Sequence, residues 1–205
     1  MAGMESDVLV SQLDVLPTIC EAAGLEIPSW AEGHSLWPLL QNRPFTEVEQ
    51  VYGQANFHAA LEPQRTIRTS RHRLIRRFGP SSKPLANVDD GPSKDWALSH
   101  SPELFEQEPL QLYDLWNDPL EQNNLATDPR HGPLLQELDD RLLHWMSSSH
   151  DPLLLGEISV WPTSLASPLQ ATSALEPLEF AADSLKTIEK ITFPPSPIDS
   201  AQEEK

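Results

Sequence analysis

Six arginines, Arg65, Arg68, Arg71, Arg73, Arg76 and Arg77, fall within thirteen positions of a chain that holds only 14 basic residues and carries a formal net charge of -17. Guanidinium groups match oxyanions through paired N–H donors, so such a cluster could hold an anionic group on a ligand. On a strand, alternate side chains point to opposite faces, and only some of the six can converge. The competing reading is that these arginines pair with the chain's own surplus carboxylates or with a neighbouring domain. Arg65 and Arg68 are the candidates for contact with an anionic substrate. His58, at the end of Gln54-Ala55-Asn56-Phe57-His58, adds an imidazole that could hydrogen-bond a substrate hydroxyl; the alternative is a solvent-facing loop histidine.

Two other groups invite a chemical reading. In Asn87-Val88-Asp89-Asp90-Gly91-Pro92-Ser93-Lys94, adjacent carboxylates and an amide oxygen are hard ligands of the kind Ca²⁺ takes, but no further ligand follows at loop spacing. Asp-Asp-Gly-Pro is also good turn chemistry, which is the reading adopted. His34, His72, His100, His131, His144 and His150 lack metal-ligand spacing with one another. No metal site is expected.

The elements that would position these residues follow from periodicity. Asp7 to Val10 reads as a short strand. Asp14 then caps a helix with Pro17 in its early turn, Leu16, Ile19, Cys20 and Ala23 on one face, and Gly24 at its end. A short helix follows over Ser35 to Leu40. Beyond Pro44 the pattern predicts four strands, Val48–Gly53, Arg65–Thr69, His72–Phe78 and Leu110–Leu115, with a bend at Ser70-Arg71 and a polar surface excursion from Gly79 to Pro109. From Pro133 to Ser147, Leu134, Leu135, Leu138, Leu142 and Trp145 recur at helical spacing opposite Glu137, Asp139, Asp140 and Arg141. The fold class expected is α+β, a small four-stranded antiparallel sheet packed with a long C-terminal helix. Three regions are expected: 1–45, 46–156, and a Pro- and Ser-rich tail over 157–205, largely disordered, with a stray helix over Leu175 to Ile191 as its only candidate element.

Composition limits the partners. The acidic balance repels nucleic acid and anionic membranes. One cysteine forms no internal disulfide, no apolar run reaches 18 residues, and Met1 to Asp7 lacks the apolar core of a signal peptide. The default compartment is therefore the cytoplasm, and a longer form would leave the compartment open.

Leu112-Tyr113-Asp114-Leu115-Trp116-Asn117-Asp118-Pro119-Leu120-Glu121-Gln122-Asn123-Asn124-Leu125 resembles the signature near the C-terminus of sulfatases. Val10 to Thr18, Thr66 to Ile75, and Trp145-Met146 ahead of Asp151 to Leu154 support that resemblance in the right order, over roughly residues 6 to 156. The resemblance implies the last strand and helix of an alkaline-phosphatase-like α/β domain, followed by the C-terminal sulfatase subdomain. It implies sulfuric ester or sulfamate hydrolysis as the family activity. In the sulfamidase-like branch a histidine similarly occurs just before the hairpin, as His58 does here.

The same resemblance assigns the formylglycine, the Ca²⁺-binding carboxylates and the catalytic Lys and His residues to the family's upstream half, so no catalytic or metal residue and no cofactor is expected in this chain. Cys20-Glu21-Ala22-Ala23-Gly24 has an alanine where the formylglycine motif allows it, but Gly24 where that motif requires arginine. Cys20 is read as packing. The leading expectation is a C-terminal fragment that supports and borders a substrate pocket, inactive alone, meeting a sulfated small molecule or sugar only with the catalytic half present. The alternative is a non-catalytic binding or interaction module derived from a sulfatase. A third reading is an independent hydrolase using His58 with Asp89 and Asp90.

Overall fold

The computed structural model describes residues 3, 5–79, 83–155, 158, 160 and 163–182. The chain divides into two compact units, residues 1–51 with 68–72, and residues 52–67 with 73–205.

In the first unit a single 3₁₀ turn, Gln12–Asp14, leads into helix α1, Val15–Ala22. Ser11 and Asp14 form a capping box in which the Ser11 N–H donates to Asp14 Oδ2 at 2.7 Å. The second Asp14 oxygen accepts the His34 N–H at 2.8 Å. Thr18 Oγ1 donates to the Asp14 carbonyl at 2.6 Å and accepts the Leu36 N–H at 2.8 Å. Asp14 precedes α1 but makes no side-chain cap bond to it, contrary to expectation; instead Asp14 and Thr18 staple the following loop to the start of the helix. Gly24 takes φ +69° and ends the helix, as a C-terminal glycine should. Helix α2 is one turn, Trp37–Leu40, shorter than expected.

Another expectation fails here: Asp7 to Val10 forms no strand, because a strand needs a partner and none of the described strands pairs with it. The apolar face of α1 is only half buried: Pro17 and Cys20 are covered, whereas Leu16 and Ile19 are 39% and 59% exposed.

The second unit is built on a four-stranded antiparallel sheet of β1 (Gln50–Phe57), β2 (Leu61–Thr69), β3 (His72–Arg77) and β4 (Leu110–Asp114), in that spatial order. The predicted bend at Ser70-Arg71 joins β2 to β3. Along β2 the burial alternates strictly, with Leu61, Pro63, Arg65 and Ile67 inward. Helix α3, Pro92–His100, sits in the excursion between β3 and β4, where the sequence suggests only loop. Helix α4, Gly132–Ser148, lays Leu135, Leu138, Leu142 and Met146 against Leu61, Ile67, Leu74 and Leu112 of the sheet.

The free edge of β4 is closed by side-chain chemistry. Asn124 accepts the Leu112 N–H at 2.9 Å and donates to the Leu110 carbonyl at 3.0 Å, and the Leu125 N–H reaches the Leu112 carbonyl at 2.8 Å. An asparagine thereby replaces a neighbouring strand and protects the edge from pairing with another chain. Where composition predicts a disordered tail from 157 onward, residues 163–182 instead fold on this unit. Strands β5 (Leu165–Ala166) and β6 (Glu179–Phe180) pair antiparallel, Ala166, Ala171 and Ala181 are buried, and the Ser167 N–H donates to the Ala59 carbonyl at 2.7 Å. The helix expected from Leu175 is absent up to Phe180, and its remainder from 183 lies outside the described residues.

Candidate functional site

The arginine cluster resolves by strand alternation into two faces. On the inner face, Arg65 is 1% exposed and each of its three guanidinium nitrogens donates: Nε and Nη2 to Asp151 at 2.5 and 2.9 Å, and Nη1 to the Ala55 and Gln64 carbonyls and to Asn56 Oδ1. Arg76, also inward, donates to both oxygens of Asp139 at 2.8 and 2.6 Å. Asp139 is fully buried on α4 and not on the helix's polar side, because an interior guanidinium requires a carboxylate facing it. Arg65 is therefore held in the core by its pair with Asp151.

On the outer face, Arg73 Nη1 meets both Glu121 oxygens at 2.9 and 3.0 Å. Arg77 donates to Glu62, Gln64 and Gln111. Burial lowers the Arg77 pKa, and the Glu62 carboxylate opposes that shift. A cavity of about 240 Å³ opens between β1, β2 and β3, lined by Gly53, Gln54, Gln64, Thr66, Arg73 and Ile75 among others. Gly53 keeps its wall close: a Cβ there would stand 2.9 Å from Thr66 Cγ2. The polar side chains of the lining residues are two guanidiniums, Arg65 and Arg73, each already paired with a carboxylate, two amides and a hydroxyl. Such a floor can hydrogen-bond a polar ligand but supplies no nucleophile and no acid–base pair.

His58 and Arg68 do not join this cavity. His58 is exposed in the turn between β1 and β2, and Arg68 is exposed near the far end of β2. Among the described residues, no group of three His, Cys, Asp or Glu side chains could hold a metal ion, and no described helix is long and apolar enough to cross a membrane. Cys20 is a buried thiol within α1, and Gly24 ends that helix.

The partners of the inner arginines, Asp139 and Asp151, lie 63 and 86 residues away, and no local spacing announces them. The Asp89-Asp90 segment is turn architecture: Asp90 Oδ1 accepts Lys94 Nζ at 2.8 Å and Oδ2 accepts the Ser173 hydroxyl. Hydrogen bonds from Lys94 and Ser173 hold the Asp90 carboxyl below the ordinary aspartate range, and those from Thr172 and Ser173 do the same for Glu176. Both folded-state pKa values are depressed, so these ties are present above the ordinary carboxylate pKa and fade as pH falls through the folded values. A carboxyl-carbon NMR titration should place both midpoints below the ordinary values, with the Thr172 and Ser173 amide shifts following Glu176. Ordinary midpoints would contradict the geometry.

The family model for the C-terminal region of N-sulphoglucosamine sulphohydrolase matches residues 1–93. The chain is 33% identical over 156 residues to the ulvan-active sulfatase of Formosa agariphila, covering 74% of this chain and 31% of that protein. It is 30% identical over 178 residues to the N-sulphoglucosamine sulphohydrolase of Homo sapiens, covering 73% of this chain and 34% of that one. The chain thus spans about a third of the length of the curated relatives it matches. Its fold superposes on a 2-O GAG sulfatase with a TM-score of 0.56 at 24% identity, over 78% of this chain and 30% of that structure. The sequence matches support a sulfatase-derived C-terminal region for this chain, and the likeness to the solved sulfatase shows the shared fold.

Proposed function

We propose that this chain is the pocket-bordering C-terminal region of a sulfuric ester or sulfamate hydrolase and hydrolyses nothing by itself. The observation that carries the reading is the match to sulfatases in sequence and fold over about a third of their length. Sulfate ester hydrolysis needs an activated nucleophile, a cation to offset charge on the sulfate oxygens, and a proton donor for the leaving group. The described residues assemble no such set. In the first unit Leu13, Ile19 and Trp30 are 59%, 59% and 73% exposed, which suits a region that packs against further polypeptide. In this reading His58 faces a sulfated sugar or small molecule and Arg68 lies on the same region's exposed surface, whereas Arg65 only supports the sheet.

The test is direct. The purified chain, supplied with Ca²⁺ and a chromogenic aryl sulfate, should show no turnover above buffer. Turnover that disappears in His58→Ala would overturn the reading in favour of an independent hydrolase. The coding sequence immediately upstream separates the remaining alternative: an in-frame Cys-x-Pro-x-Arg with paired Asp codons supports the hydrolase reading, and an intact promoter and start site there favour a non-catalytic binding module.

A further inference from the structure

The turn that carries His58 is held by three segments distant in sequence. Asn87 Oδ1 accepts the Ala59 and Ala60 N–H groups at 2.9 and 2.7 Å, while Nδ2 donates to the Ala60 carbonyl at 3.1 Å and to Glu62 Oε2 at 2.9 Å. One side-chain amide therefore uses both its acceptor and its donors on the β1–β2 turn. The remaining Ala59 carbonyl is taken by the Ser167 N–H from the C-terminal segment.

Lys94 ties that segment to the loop bearing Asn87. Its side chain is 4% exposed, and its ammonium donates to the Leu85 carbonyl at 2.8 Å, the Val88 carbonyl at 3.0 Å, Asp90 Oδ1 at 2.8 Å and the Thr172 carbonyl. Ala60, Ala86 and Ala171, one from each segment, pack into a small apolar cluster beneath the turn, 0%, 3% and 3% exposed. A buried ammonium surrounded by oxygens is costly unless every donor is used, and here it holds the loop and the C-terminal segment at one point. His58 itself is exposed, and no hydrogen bond to its ring is formed among the described residues. A backbone fixed on all sides carries an imidazole left open to solvent.

We propose that Asn87 and Lys94 are positioning residues that, with the 164–173 strap, fix the β1–β2 turn so that the His58 imidazole is presented in one place. The inference rests on the reading that His58 faces substrate, and adds to it the residues that aim the group. Preorganisation of this kind cuts the ordering cost of binding and holds a contact within the tolerance that recognition needs.

Amide hydrogen exchange of the full chain, read by NMR without ligand, tests it. In Asn87→Ala the Ala59 and Ala60 amides should exchange at least 100-fold faster while Ile67 and Leu74 in the sheet keep their protection. Asn87→Asp keeps the acceptor oxygen and should return those two amides to within about tenfold of the parent. Lys94→Met touches neither amide, yet should speed both by tenfold or more and shift the His58 ring resonances. Unchanged Ala59 and Ala60 exchange in either Asn87→Ala or Lys94→Met, with the sheet intact, would overturn the proposal. If Asn87→Ala also loses sheet protection, Lys94→Met alone decides. No ligand enters this measurement, so its failure is distinct from that of the sulfatase reading, which turnover and the upstream coding sequence decide.

Discussion

Asp139→Ala should destabilise the second unit by about 3–5 kcal/mol, the range for removing one partner of a buried ion pair. Arg76 and Asp139 have side chains only 2% and 1% exposed, and the substitution strands a guanidinium between sheet and helix with no water to solvate it. Arg76 Nη1 already has no hydrogen-bond partner among the described residues, so the site has no spare acceptor to take over. Leu138 and Leu142 flank Asp139 on α4, and water drawn in to solvate the charge would have to enter their packing. Urea denaturation followed by circular dichroism should show a lower midpoint with an unchanged slope. A loss under about 1 kcal/mol would mean that the guanidinium reaches solvent and that the pair is not buried in solution.

The same pair separates the cost of breaking an ion pair from its net worth. In Arg76→Met with Asp139→Leu both charges leave together, and the desolvation penalty of each leaves with them. The double variant should fall within about 1 kcal/mol of the parent or exceed it, since apolar replacements of buried pairs are often neutral or stabilising. The two arginines on the inner face, Arg65 and Arg76, therefore specify which helix and loop the sheet accepts more than they add to its stability. Asp151 performs the matching task for Arg65 and also caps the turn that follows, accepting the Leu153 N–H at 3.1 Å.

This arrangement shows where sequence reasoning reaches and where it stops. The four strands, their bend at Ser70-Arg71 and helix α4 follow from periodicity, because each buries one face and the pattern of apolar residues records it. Asp114, Asp118 and Asn124 are legible as turn and cap chemistry, since their partners lie within a few residues or one strand away. Asp139 is misplaced by the same logic: helical spacing puts a carboxylate on the polar face, and only the long-range Arg76 explains why it turns inward. The strap over 163–182 is invisible for a different reason. It packs through alanines and backbone hydrogen bonds, neither of which leaves a periodic apolar signal, while its Pro and Ser content resembles that of unstructured chain. At the candidate site, alternation alone predicts that Arg65 and Arg68 face opposite ways. What it leaves open is which face is the interior, and the interior claims Arg65.

Gly33→Ala should unfold the first unit locally while leaving the second intact. A Cβ at Gly33 would lie 2.1 Å from the Leu13 carbonyl oxygen, 2.3 Å from its carbon and 2.7 Å from the Asp14 nitrogen. All three are backbone atoms and a Cβ has no rotamer, so the overlap is relieved only by moving the 33–36 segment off the start of α1. That movement breaks the His34 bond to Asp14 and the Leu36 bond to Thr18. Overpacking of about 1–3 kcal/mol and two lost hydrogen bonds of about 1 kcal/mol each give a loss of roughly 3–5 kcal/mol, confined to this unit. Cys20 is the only cysteine in the chain and is buried on α1, so its rate of modification by a thiol reagent reports the opening of that helix. The rate should rise more than tenfold in Gly33→Ala, while amide protection at Leu138 and Leu142 in α4 stays as it was. Gly132→Ala is the control: a Cβ there meets nothing within 4 Å and the residue begins α4, so it should leave Cys20 reactivity unchanged and match or slightly raise stability. Equal Cys20 rates in the parent and Gly33→Ala would show that the close approach of the loop to Leu13 is absent in solution, and that Asp14 and Thr18 staple nothing to α1.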